Sequence, residues 1–130
     1  MEGCVVTNLK VHSKDNCYPL SPEQMQAIQN KGVSVKLEPG TNIVKIREGA
    51  FGYVTDGETK AEPYVLLWIY GGKIINKKTN VEVPATWATL NGYDDALVMD
   101  VIEAATLCAF FFDTHVSDNA GEVTLSVVRI

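Results

Sequence analysis

Apolar and polar residues alternate along most of the chain after Val33. A period of two places alternate side chains on opposite faces of a strand, so this pattern predicts β-structure. Turn residues such as Gly, Pro, Asn and Asp separate the alternating runs. The runs are VSVKL (33–37), NIVKIRE (42–48), AFGYV (50–54), YVLLWIY (64–70), IINKKTNVEVP (74–84), TWATL (86–90), ALVMDVI (96–102), TLCAFFF (106–112) and EVTLSVVRI (122–130).

The first third of the chain predicts one strand and one helix. The partly alternating run CVVTNLKVH, from Cys4 to His12, favours an opening strand. A helix is predicted over Pro22–Asn30, because Ser21 suits the N-cap, proline suits the first helical position and Gln24 stands three residues after the cap. Gly32 is predicted to end the helix in a left-handed conformation.

These elements predict an all-β, antiparallel β-sandwich or barrel with one short N-terminal helix. Met25 and Ile28 lie three residues apart, so they predict an inward stripe that packs the helix over a sheet end or edge. The strands recur about every 8 to 12 residues, which is typical of sandwiches and barrels. The YVLLWIY run is apolar on both sides and predicts a central strand. No repeat divides the chain, so residues 1–130 are predicted to form one domain.

Composition narrows the classes of partner. The chain has 130 residues, of which 46% are hydrophobic, and a formal net charge of −5. An acidic balance argues against nucleic acid and anionic membranes as partners, and it leaves cations and neutral ligands open. No signal-peptide pattern and no apolar run of about 18 residues is found. We therefore expect a protein of the cytoplasm, or one released without a signal peptide.

The reactive side chains predict no catalytic centre. Cys4, Cys17 and Cys108 are odd in number and lack CxxC spacing, and Cys108 is predicted to be a small buried hydrophobe. Only two histidines occur, and GxSxG, HExxH and P-loop motifs are missing. Asp94 and Asp95 form a carboxylate pair, but NGYDD is better explained as a polar turn. We expect a protein that is not an enzyme.

The loop between the last two strands is dense in oxygen ligands. Calcium takes six to eight oxygens from carboxylates, amides, hydroxyls and carbonyls. Gly121 allows the backbone to turn beneath such groups. Taken alone, however, the loop lacks the spacing of an EF-hand, and an ordinary turn rich in Asp and Asn remains the better interpretation. Its candidate ligands are Asp113, Thr114, Ser117, Asp118 and Asn119.

A second candidate site lies in REGAFGYVTDG, where Gly49 and Gly52 flank aromatic residues. Glycine at a break between strands lets the backbone approach a ligand or another loop closely. The alternative is a β-bulge with Phe51 and Tyr53 in the core.

The two segments together resemble a known family. LEPGTNIVKIREGAFGYV followed by FFFDTHVSDNAGEVTLSV looks like the galactophilic bacterial lectins of the PA-IL type and their jelly-roll relatives. The resemblance covers roughly residues 37–130. The shared features are Pro39-Gly40, Gly49, Tyr53, Asp113, Asn119 and Gly121.

The resemblance implies a jelly-roll β-sandwich that holds one calcium ion, which coordinates the hydroxyls of a bound sugar. Asp113 would supply a carboxylate and Tyr53 a backbone carbonyl, while Asp118 and Asn119 stand where the family has two asparagines. This loop is shorter than the family's, so Thr114 or Ser117 would replace a threonine ligand. His115, in the same loop, is a further candidate for ligand contact.

Departures from the family limit what carries over. The family's sugar pocket also uses a His and a Gln, and TDGETKAEP contains neither, so galactose specificity does not carry over. Trp68 and Trp87 are candidates for sugar stacking, although Trp68 is predicted to pack in the core and Trp87 to be more open.

Carbohydrate or a glycoconjugate is therefore the expected partner, with calcium as cofactor. The alternative is a structural or interaction β-sandwich that binds a protein or its own copy, which leaves a homo-oligomer open. A calcium-dependent lipid-binding sandwich is disfavoured, because the loops lack a basic patch and exposed apolar tips.

Overall fold

One helix and nine strands are found in the part of the chain that the structure describes, which comprises residues 5–50, 52, 62–112 and 121–130 of a computed structural model. The helix α1 spans Pro22–Lys31. The strands are β1 (Val33–Leu37), β2 (Gly40–Gly49), β3 (Tyr64–Tyr70), β4 (Lys73–Asn76), β5 (Val81–Val83), β6 (Thr86–Asn91), β7 (Ala96–Glu103), β8 (Ala105–Phe110) and β9 (Val123–Arg129).

The strands form two antiparallel sheets. The four-stranded sheet has the order β1-β8-β3-β6, and the five-stranded sheet has the order β5-β4-β7-β2-β9. Among the described strands, each connection except β4 to β5 passes from one sheet to the other. The predicted all-β sandwich with one short helix is confirmed, and the alternation of strands between sheets is what a jelly roll requires.

The core lies between the two sheets and follows the period of two. In β3, Val65, Leu67 and Ile69 point inward and are buried, while the residues between them are half-buried on the outer face. β3 is the inner strand between β8 and β6, so the predicted central strand is confirmed. The other large buried residues are Leu37, Val44, Ile46, Ile74, Leu90, Leu97, Met99, Val101 and Leu107.

The helix is set by its local sequence. The backbone N–H of Gln24 donates to Ser21 Oγ at 3.1 Å, and the Gln24 side chain accepts from the Ser21 N–H at 2.8 Å, so the predicted capping box is confirmed. Met25 and Ile28 are half-buried, as the inward stripe requires. The prediction that Gly32 ends the helix in a left-handed conformation was wrong, since its φ is −67° and its ψ is 147°. Glycine instead suits a crowded site, because a Cβ there would lie 2.8 Å from the Ile28 carbonyl oxygen.

The predicted opening strand was also wrong. Residues 5–12 pair with no strand of the described chain, and their side chains are exposed. Alternation makes a segment suitable for a sheet, but a strand forms only where a neighbouring edge supplies hydrogen bonds. A turn at residues 13–16 follows, closed by the Asn16 N–H donating to the His12 carbonyl at 3.0 Å.

The NGYDD turn between β6 and β7 is confirmed, and Asp95 has a structural part in it. Gly92 has a φ of +100°. The Asn91 N–H donates to Asp95 Oδ2 at 3.0 Å, and Lys78 Nζ donates to Oδ1 at 3.4 Å. The hydrogen bond from Asn91, followed by the Lys78 interaction, holds the pKa of Asp95 below its ordinary value.

We expect Asp95→Asn to destabilise the protein at neutral pH by about 0.5–1 kcal/mol, because the amide can still accept from Asn91 but loses the charge that Lys78 favours. A lowered folded-state pKa contributes stability above the unfolded pKa, and that contribution is lost as pH falls through the folded pKa. Urea unfolding of both proteins between pH 7 and 3 should therefore show the difference closing below about pH 4. A difference that is constant with pH would contradict this role.

The two described cysteines should react differently with thiol reagents. Cys108 is fully buried, and burial raises the pKa of its thiol, whereas Cys17 is exposed. Peptide mapping after iodoacetamide treatment should find Cys17 alkylated in the native protein, and Cys108 alkylated only after unfolding. Similar rates at both positions would show that β8 is not buried as described.

Candidate functional site

The seven residues predicted to bind calcium or sugar lie outside the described residues. They are Tyr53, Asp113, Thr114, His115, Ser117, Asp118 and Asn119. The structure does describe the chain on either side of them. The segment 53–61 lies between Gly52 and Glu62, and the segment 113–120 lies between Phe112 and Gly121.

Strand pairing brings these flanking residues to one end of the sandwich. In the five-stranded sheet, Gly49 at the end of β2 pairs with Val123 at the start of β9. In the four-stranded sheet, Leu66 near the start of β3 pairs with Phe110 at the end of β8. The rings of Tyr64 and Phe111 have centroids 6.2 Å apart. We call this region, where β2, β8 and the starts of β3 and β9 meet, the loop end.

Glycine makes the close contact at the loop end. Gly49 has a φ of +96°, and a Cβ there would lie 2.1 Å from the Glu122 carbonyl oxygen, so a larger residue does not fit. The pairing of β2 with β9 shifts register between Ile46 and Glu48, directly before this contact. Gly49 therefore lies directly against the backbone at the start of β9, and the register shift beside it is the kind of irregularity that the β-bulge alternative describes, while Phe51 and Tyr53 lie outside the described residues. Gly121 has a φ of +90°, which agrees with the predicted tight turn.

The NGYDD turn reaches the same end. The Tyr93 hydroxyl donates to the Gly49 carbonyl at 2.8 Å, and the Gly92 N–H donates to the Pro63 carbonyl at 2.6 Å. The ring of Tyr93 remains exposed. Sequence reasoning treated this turn only as a turn and missed Tyr93. The available signal was an aromatic residue directly after an Asn-Gly pair, but its partner lies 44 residues away.

A row of aromatic rings runs across the outer face of the four-stranded sheet to the loop end. The centroid distances are 6.1 Å from Tyr70 to Trp68 and 4.4 Å from Trp68 to Trp87. They are 5.8 Å from Trp87 to Phe110 and 5.1 Å from Phe110 to Phe112. We call these five residues the aromatic ladder. Trp87 is 43% exposed and Phe112 45% exposed, so the ladder offers ring surface to a ligand.

The two tryptophans differ in their surroundings. Trp87 is open, as predicted, but Trp68 lies on the outer face between its neighbouring rings and not in the core between the sheets. The Trp68 indole N–H is buried and has no acceptor among the described residues. A buried donor without an acceptor costs about 1–3 kcal/mol. The ladder therefore includes a polar group that adds nothing to the stability of the isolated fold.

The described residues contain no group of three His, Cys, Asp or Glu side chains placed to hold a metal ion. The predicted calcium ligands belong to segments outside that part of the chain. No helix within the described ranges has the length and apolar character needed to cross a membrane.

No protein-family model, curated protein or solved structure matches this chain. The resemblance to the PA-IL type of lectin therefore stays a prediction from the motifs.

The close contact of Gly49 with Glu122 at the loop end can be tested by substitution. We expect Gly49→Ala to lower the free energy of unfolding by at least ~2 kcal/mol more than Gly92→Ala. Both glycines have positive φ, but nothing lies within 4 Å of a Cβ at Gly92, so the comparison isolates the collision with Glu122. Chemical denaturation of the two variants measures the difference. Equal losses would show that β2 and β9 do not approach as closely as described.

Proposed function

We propose that this chain is a calcium-dependent carbohydrate-binding module, with the ion held at the loop end and the sugar ring packed on the end of the aromatic ladder. One observation carries the proposal: the ladder ends at Phe112, the residue directly before the segment that contains the predicted calcium ligands. A ring surface and an oxygen-rich segment thus follow each other in the chain.

The two chemistries complement the two faces of a neutral sugar. The C–H face of a pyranose is apolar and packs on aromatic rings, which exposed Trp and Phe side chains provide. Sugar hydroxyls are oxygen ligands of the kind that calcium accepts alongside carboxylates and amides. The net charge of −5 also suits a cation better than an anionic ligand.

The motif resemblance assigns the parts. Asp113, Asp118 and Asn119 would supply side-chain oxygens and Tyr53 its carbonyl, with Ser117 as a further ligand. Thr114 and His115 remain for contact with the sugar. Bound calcium would supply the positive charge that orients the sugar hydroxyls. The backbone fits this arrangement, because Gly49 and Gly121 have positive φ where the flanking strands meet.

The alternative is a module that binds protein without binding sugar. Exposed aromatic residues are also typical of protein interfaces, so the ladder by itself does not separate the two functions. Calcium dependence and a response to free sugars do separate them.

Calcium should stabilise the protein and bind with measurable heat. A ligand that binds only the native state raises the melting temperature. We expect isothermal titration of chelator-treated protein to show one site, and Asp113→Asn to weaken it by more than about tenfold. Asp15→Asn is the matched control, because Asp15 is an exposed carboxylate far from this segment in sequence. If wild type shows neither heat nor stabilisation, the calcium part of the proposal fails.

Sugar binding should need both the ion and the ladder. On a glycan array, binding should vanish when calcium is chelated, and Phe112→Ala should weaken it by about tenfold while calcium affinity is unchanged. Tyr18→Ala is the control, since Tyr18 is exposed and aromatic but lies before α1. Calcium binding without any glycan response would reject the lectin function and favour the protein-binding alternative.

A further inference from the structure

In the part of the chain that the structure describes, the sandwich is open along one side. Between the edge strands β1 and β9, a cavity of about 1140 Å³ is lined by inward-facing residues of both sheets, by the second half of α1 and by residues 110–112. Its walls are mainly apolar and include Val33 and Val35 from β1, Ala109 from β8, and Leu125 and Val127 from β9. We call this cavity the edge groove.

Part of the inward face of β1 is exposed along the groove. Val33, Val35 and Leu37 pair with Ala109, Leu107 and Ala105, so they share one face of the strand. Leu37 is fully buried, whereas Val33 is 79% exposed. Among the described residues, the core face of β1 is therefore covered at the Leu37 end only, and Val33 at the other end stays exposed.

The two strands beside the groove also have unpaired edges. Within the described chain, β1 pairs only with β8 and β9 pairs only with β2. A free edge presents N–H and C=O groups that another strand can bind. β9 has seven residues and β1 has five, so β9 offers the longer edge.

The same chain carries an apolar strand-like segment that has no place in either sheet. We call residues 5–20 the N-terminal arm. In an extended conformation, Val5, Leu9 and Val11 of the arm fall on one face, with Thr7 between them. All three apolar residues are exposed, Leu9 to 85%. The opposite face is mainly polar, with Val6, Asn8, Lys10 and His12.

The arm and the groove match in size and chemistry. Residues 5–11 span about 20 Å in extended form. This segment has seven residues, and so does β9. Pockets for small ligands usually measure about 300–1,000 Å³, so this groove is larger than a small ligand needs. A strand with one apolar and one polar face would fill the groove with the first and leave the second in water.

We propose that the arm of one copy of this chain adds to the free edge of β9 in a second copy and fills its edge groove, and that the exchange is reciprocal. Among the described residues, the apolar side chains of the arm are exposed and the groove of the same chain is open, which points to a second copy as the source of the strand. Exchange of identical elements produces a closed dimer with twofold symmetry. The dimer does not depend on the proposed sugar site.

The test is the association state of the full-length chain and of single-residue variants. Analytical ultracentrifugation of wild type should show a dimer that dissociates on dilution. Leu9→Asp in the arm should weaken dimerisation by at least about a hundredfold, since it places a charge in the groove. Lys10→Glu is the matched control on the polar face and should leave dimerisation within about threefold.

The groove is tested from its other side with Val33→Lys. Val33 is exposed in the isolated chain, so the variant should keep its circular dichroism spectrum and melting behaviour at low concentration while losing the dimer. A synthetic peptide with the sequence of residues 5–12 should bind the Leu9→Asp variant and not the Leu9→Asp/Val33→Lys double variant.

Three results would overturn the proposal. The first is a wild type that stays monomeric at high concentration. The second is a dimer that persists in both Leu9→Asp and Val33→Lys. The third is a monomer whose amides at residues 5–11 are protected from hydrogen exchange, which would show that the arm fills the groove of its own chain.

Discussion

Burial of alternate side chains between two sheets is the constraint on which the rest of this structure depends. Because side chains on a strand alternate with a period of two, a slip of one residue would turn Val65, Leu67 and Ile69 from the core to the outer face. The core therefore fixes the register of β3 with β8 and β6. In the other sheet, the burial of Val44 and Ile46 fixes the register of β2 with β9 in the same way, and so it brings the end of β2 against the start of β9. The position of the strand ends at the loop end is therefore set by packing in the core.

Small local contacts then hold the loop end in shape. Gly49 lets the backbone of β2 touch Glu122, and the Tyr93 hydroxyl binds the same glycine's carbonyl. These contacts require only two specific residues, one without a Cβ and one with a phenol hydroxyl. They hold the strand ends that flank the two segments close together.

Two apolar surfaces remain outside the core, and they differ in chemistry. The aromatic ladder presents flat rings, of which Trp87 and Phe112 are exposed, and this suits a ligand with an apolar face. The edge groove is mainly aliphatic and is bordered by free strand edges, which suits a polypeptide strand. Exposed apolar area of this kind favours association. Each surface is therefore best explained by the ligand or partner proposed to cover it. The two surfaces adjoin at Phe110 and Phe112, which belong to the ladder and also line the groove, so the proposed dimer would form beside the proposed sugar site.

The sequence by itself determined the features that depend on near neighbours. Ser21 and Gln24 determine the helix start, the alternating runs determine the strands after Val33, and Asn-Gly determines the turn before Asp95, because each acts within a few residues. Residue types also nominated Asp113, Asp118 and Asn119 as ligands, and the family resemblance added Tyr53, although the described chain does not include them. Only the tertiary structure decided the rest. The arm alternates like a strand but pairs with no described strand, Trp68 stands in an apolar run yet faces outward, and Tyr93 finds its partner 44 residues away. Alternation determines which side chains share one face of a strand, but it does not determine which element packs against that face. Long-range packing therefore decides which faces meet.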